Sequence, residues 1–250
     1  MIAWHGNPEL KTATVAALNE DLAKDRYIRG TYARHFGHEW RGCHIGCLVM
    51  ASKRAVNGGA LTDLVNIAES TSWHQHAEDL YGIPKPLAYL WDRTYESVEL
   101  AEAPRFAVAS VDAVPVGADL SLVVSHLMRD LIADPERGVW KFTAEGSAQR
   151  KAVETVGGLY ARRLAGDEPG RDEWGTARAY ASAAYAADAA DAADAYASAY
   201  AYAAAAYAAD AYAYAAYAAY AYARRGCWAW IAERIIHHTR NAPIMETANG

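Results

Sequence analysis

A chain of 250 residues with 53% hydrophobic side chains has room for one substantial core and an appendage. Its formal net charge of -6, without any long basic run, argues against duplex nucleic acid as the main partner, because that affinity rests on Lys and Arg neutralising phosphates. Three cysteines are too few for a disulfide framework, and the start MIAWHGNPELK has no charged segment followed by an apolar one, so a reducing, cytoplasmic setting is expected.

The first predicted helix follows Asn7, a good N-cap, with Pro8 at the first helical position and Glu9 at the positive end. Leu10, Thr14, Ala17 and Leu18 share its buried face, and Tyr27 and Gly30 are expected at its end.

Next comes WRGCHIGCLVM. On a helix, Cys43 and Cys47 lie one turn apart on one face. Gly42 favours a helix start there, where amide dipoles stabilise a thiolate. Two chemistries then become available: Cys43 or Cys47 with His76, oriented by Glu78 or Asp79, as a thiol site, or Cys43, Cys47, His74 and His76 as zinc ligands. His74 and His76 would point about 200° apart on a helix, so at most one of them joins a shared site. Free cysteines usually behave as small apolar core residues. The leading expectation is therefore no catalytic residue, no metal and no cofactor, with the thiol or zinc site as the alternative.

In STSWHQHAEDLYGIP, Ser72 and Gln75 match a capping box, Gly82 supplies a left-handed stop and Pro84 opens the following helix to about Ser97. Leu87, Leu90, Trp91 and Tyr95 are its core candidates, and Pro104 begins a short helix. In VPVGADLSLVVSHLMRDLIADPERG, Asp119 can cap a helix with Leu120, Val123, Val124, Leu127 and Leu131 on one face. Leu122, Met128 and Ile132 widen that face, which implies a central helix. His126, within it, is expected in the core. Ser147 starts a further helix to about Leu164, and Arg162 with Arg163, like Arg224 with Arg225, forms a basic pair suited to an anion.

From about Ala177 to Ala223 the chain is almost wholly Ala and Tyr, with neither Gly nor Pro. Alanine is the best helix former, and the two-residue alternation of a strand is not sustained. On a helical wheel, Tyr185, Tyr196, Tyr200, Tyr207 and Tyr214 fall within about 60° of one another. About 100° away runs a seam of small residues that includes Ala190, Ala197, Ala201, Ala208 and Ala215, where a second backbone can approach closely. A membrane span is disfavoured, because Ala and Tyr lack the apolar character of Leu or Ile. After Gly226, the spacing of Trp228, Ile231, Ala232 and Ile235 predicts a final amphipathic helix docked on the body.

The expected class is all-α: a helical globular body over 1–166, a linker over 167–175, a long Ala/Tyr-rich helix over 176–225, straight or bent, and a C-terminal helix and tail over 226–250. No phosphate loop, dinucleotide fingerprint, nucleophile elbow or His-Glu-x-x-His motif is present.

The segments RGCHIGCLV, LYGIPKPLAYL and DAVPVGADLSLV, followed by an Ala-rich tail, together resemble uncharacterised proteins encoded by bacteriophages and bacteria. That resemblance carries no assigned activity. It implies a mobile-element origin only, and from that origin a binding role in host takeover or counter-defence is the expectation. The functional expectation is a non-catalytic binding protein for a host protein or a small nucleotide-like ligand, forming homo-oligomers through the Ala seam. Its binding residues would be the five tyrosines of the stripe with Arg162, Arg163, Arg224 and Arg225. The alternatives are a Cys/His thiol or zinc enzyme and a structural oligomer.

Overall fold

In a computed structural model, residues 2–36, 39–57, 73–188 and 224–245 are described. They are all-α apart from one short hairpin, β1 (Arg34–Phe36) and β2 (Glu39–Arg41), paired antiparallel with His35 opposite Trp40. The helices are α1 (Pro8–Ala23), α2 (His44–Asn57), α3 (Trp73–Tyr81), α4 (Lys85–Ser97), α5 (Ala103–Asp112), α6 (Val123–Ala133), α7 (Ala148–Leu164), α8 (Arg171–Asp188) and α9 (Arg224–Arg240). The chain divides into two compact units, Met1–Val124 with Arg225–Gly250, and Ser125–Arg224. Among the described residues, no helix is long and apolar enough to cross a membrane.

In the first unit α1 packs on α2 and α5, and α2, α3, α4 and α5 pack in turn on one another. Asn7 caps α1 as its sequence predicts, its side chain accepting from the amides of Glu9 and Leu10. The helix stops at Ala23, well before Gly30, because Asp25 takes a left-handed conformation (φ 52°) and the Arg26 amide reaches back to the Asp21 carbonyl. The Asp21 carboxylate, fully buried, then pairs with the Arg26 guanidinium at 2.9 Å. That pair locks the turn.

Gly82 is left-handed (φ +66°) and ends α3 as expected, its amide donating to the Glu78 carbonyl. The four expected core residues of α4, Leu87, Leu90, Trp91 and Tyr95, are all buried, and each of the two leucines contributes about 1.5–3 kcal/mol by leaving water. Gly117 to Asp119 lie between the two chain ends. The Ala3 amide donates to the Ala118 carbonyl, the Asp119 amide to the Pro243 carbonyl and the Met245 amide to the Gly117 carbonyl. On α9, Trp228, Ile231, Ala232 and Ile235 are buried, so the final helix uses the expected face.

In the second unit α7 and α8 form a helical hairpin, and the 3-10 turn Val139–Phe142 packs on α7. Ser147 caps α7 by accepting from the Arg150 amide at 3.1 Å. Asp172 and Glu173 occupy the first turn of α8, where the helix dipole favours acids. The helix thus begins at Arg171, ahead of residue 176. Tyr160 of α7 and Trp174 of α8 meet with ring centroids 4.9 Å apart. His126, expected in the core, is exposed on α6.

Candidate functional site

The WRGCHIGC stretch is shaped by a crossing of backbones. The Tyr32 segment runs over the first turn of α2, with the Cys43 amide donating to the Thr31 carbonyl at 2.8 Å. A Cβ at Gly42 would lie 2.1 Å from the Tyr32 carbonyl oxygen, and one at Gly46 only 1.3 Å. The two glycines four apart therefore form a notch for Tyr32. This fixes the Tyr32 ring, which stacks on Trp73 (5.5 Å, 11°) and meets His74 edge-on (5.6 Å, 88°).

All of this converges on Asp92 of α4. Its Oδ2 lies 3.2 Å from His74 Nε2, and its charge acts on the Tyr32 hydroxyl and the Cys43 thiol. Oδ1 is cut off from solvent and has no hydrogen-bond partner. Burial first, and then the Asp92 charge, hold the Cys43 thiol well above its ordinary pKa. The same two causes raise that of the Tyr32 hydroxyl. Glu96, one turn further along α4, is raised chiefly by burial, although the Gly30 amide donates to its Oε1 at 3.1 Å.

His44, the residue after Cys43, is fully buried and stacks on Trp91 at 5.2 Å. Burial lowers its pKa to about 4, so the ring is neutral at pH 7. Its Nε2 lies 3.3 Å from the Ser110 hydroxyl. It is an aromatic core residue with one polar contact.

The sequence-derived residues distribute unevenly over this cluster. Cys43 is in it. Cys47 is fully buried one turn deeper, its thiol donating to the Gly42 carbonyl at 3.5 Å. Of the two histidines, His74 joins through Asp92, while His76 is half-buried on another side of α3. Asp92, Glu96 and Tyr32 were not singled out in the sequence. Asp92 and Glu96 adjoin the core residues Trp91 and Tyr95 at helical spacing, and that adjacency was the signal available.

Among the described residues of the second unit, two open clefts share Trp140 and Glu154 in their lining. One, about 370 Å³, is lined by Trp140, Glu145, Gly146, Arg150, Lys151 and Glu154. The other, about 310 Å³, is mainly apolar, with Ile132, Ala133, Val153 and Gly157 beside Arg129 and Glu154. The Arg150 guanidinium sits 4.7 Å from the Trp140 ring centroid and donates to the Thr143 carbonyl at 2.8 Å. The indole N–H donates to the Asp134 carbonyl at 3.2 Å, and the residue as a whole is 38% exposed.

Arg162 and Arg163 are engaged elsewhere. Arg162 pairs with Asp167 at 2.6 Å and also with Glu173, and Arg163 pairs with Glu168 at 3.1 Å. Tyr185 falls within the span of α8, and Arg224 and Arg225 open α9. Tyr196, Tyr200, Tyr207 and Tyr214, and the seam residues Ala190, Ala197, Ala201, Ala208 and Ala215, lie outside the described residues.

Comparison with known proteins finds no matching family model, no matching curated protein and no matching solved structure.

Proposed function

We propose that this chain is a non-catalytic binding protein, and that it takes a small nucleotide-like ligand at Trp140. The observation that carries this reading is the pair of clefts that share that indole and Glu154 in their lining. A flat ring can stack on the exposed indole or enter the apolar lobe, while an anionic group reaches Arg150 and Lys151. Glu145 and Glu154 line the same lobe. They balance the two cations and favour a singly charged group or a monophosphate over a triphosphate.

Isothermal titration calorimetry of the full chain with AMP and with ATP tests this. The reading predicts binding with AMP tighter than ATP, and at least a tenfold loss in Trp140→Leu and in Lys151→Ala. Absence of heat with either nucleotide, or undiminished binding in Trp140→Leu, refutes it.

To the same reading belong, from the sequence alone, a phage-encoded role in host takeover, a host protein as the larger partner, self-association through the alanine seam and a cytoplasmic location. The alternative of a thiol enzyme draws on the side chains gathered around Asp92. Against it stand a Cys43 side chain that is buried and a pKa raised rather than lowered. Iodoacetamide labelling of the folded chain at neutral pH separates the two, because an activated Cys43 is alkylated quickly and a sealed thiol is not.

A further inference from the structure

We propose that Cys43, Asp92 and Glu96 form a binding site for one divalent transition-metal ion of the zinc class. The Cys43 sulfur and one carboxylate oxygen from each of Asp92 and Glu96 all lie within 4.8 Å of one another. Asp92 and Glu96 are four residues apart on α4 and share a face, and Cys43 immediately precedes α2, which packs on α4. A local sequence motif does not create this grouping. The packing of two helices does.

Zinc–sulfur and zinc–oxygen distances of about 2.3 and 2.0–2.2 Å place tetrahedral ligands about 3.5 Å apart, so side-chain rotations on the order of 1 Å close the site. Two further observations point to a ligand. Asp92 Oδ1 is buried with no hydrogen-bond partner, which leaves an acceptor that a cation satisfies. Both carboxylates also carry the outer contacts that orient metal ligands: His74 Nε2 against Asp92 Oδ2 at 3.2 Å, and the Gly30 amide donating to Glu96 Oε1 at 3.1 Å.

Three acidic side chains this close repel one another when ionised, and a dication removes that repulsion. On binding, the sulfur gives up its proton to solvent and forms the metal–sulfur bond, as thiol ligation requires. Arg29 and Arg93 act electrostatically on Glu96 and offset part of the charge of a thiolate with two carboxylates. A thiolate among the ligands selects Zn²⁺ or Co²⁺ over Mg²⁺ or Ca²⁺. Asp92 and Glu96 are half-buried whereas Cys43 is buried, so the ion enters from the carboxylate side.

The test is titration of the chelator-treated full chain with Co²⁺, read by the thiolate-to-cobalt charge-transfer absorption, with Zn²⁺ displacing it. The proposal predicts one Co²⁺ per chain, loss of the band in Cys43→Ser, its retention in Cys47→Ser and Cys227→Ser, and at least tenfold weaker binding in Glu96→Gln. Should Cys43→Ser fail to fold by circular dichroism, Glu96→Gln, altered at a half-buried position, decides. The proposal is overturned by no charge-transfer band in the native chain, by a band that survives Cys43→Ser, or by undiminished affinity in Glu96→Gln.

Discussion

The carbonyl of Tyr32 rests on the backbone of Gly46, where a Cβ would come within 1.3 Å of the oxygen. No rotamer change relieves such an overlap, since both partners are backbone. Gly46→Ala should therefore displace the Tyr32 segment and cost about 2–3 kcal/mol. Gly175, inside α8 with nothing within 4 Å of the corresponding position, is the contrast, and Gly175→Ala should stabilise by about 0.5–1 kcal/mol. Urea unfolding followed by circular dichroism measures both. Equal effects of one sign would remove the notch from the account.

The Asp21–Arg26 pair predicts a second asymmetry. Asp21 is fully buried and the Arg26 side chain is 16% exposed. Removing the acid leaves a largely desolvated guanidinium with the more distant Glu20 Oε1 at 4.0 Å, so Asp21→Ala should cost about 3 kcal/mol, the lower end for a broken buried pair. The double variant Asp21→Ala/Arg26→Met should recover part of that loss. A double variant as unstable as the sum of the singles would show that the two side chains act independently.

Where α7 turns into α8, charge predicts a pH response. Hydrogen bonding from Arg162 is the first cause lowering the pKa of both Asp167 and Glu173 below their ordinary 3.8 and 4.5. A carboxylate depressed in the folded state stabilises fully above its unfolded pKa, and that contribution disappears as pH falls through the folded pKa. The turn should thus hold at neutral pH and loosen only under acid conditions below those values. Carboxyl NMR titration checks it, with the Glu173 midpoint expected under 4.5 in the native chain and back at the ordinary value in Arg162→Gln. A midpoint unmoved by that substitution would dissociate the shift from Arg162.

Local chemistry was what the sequence made legible. The Asn7 and Ser147 caps, the Gly82 stop, the α4 core face and the buried stripe of α9 each depend on residues within about a turn of one another. The end of α1 escaped because its left-handed residue is Asp25 rather than a glycine, supported by a buried ion pair that spacing does not advertise. The hairpin escaped too, its three-residue strands being too short to show alternation.

Cys43 was legible as chemistry-bearing, but its neighbours were not. Asp92 and Tyr32 reach it only because α2 packs on α4 and the Tyr32 backbone seats in the Gly42–Gly46 notch. Trp140 likewise gains meaning only when the turn after α6 lays it beside Arg150 of α7. Contacts between elements distant in sequence carry no periodic signature, which is why helices were foreseen more fully than the places where they meet.

The claim on which the functional account turns is that Trp140 receives the ligand. Incorporating 5-fluorotryptophan gives one ¹⁹F resonance for each of the eight tryptophans, and Trp140→Leu assigns the one that matters. The account predicts that AMP shifts that resonance first and most strongly. A titration in which it stays fixed, or in which another tryptophan moves instead, would contradict it.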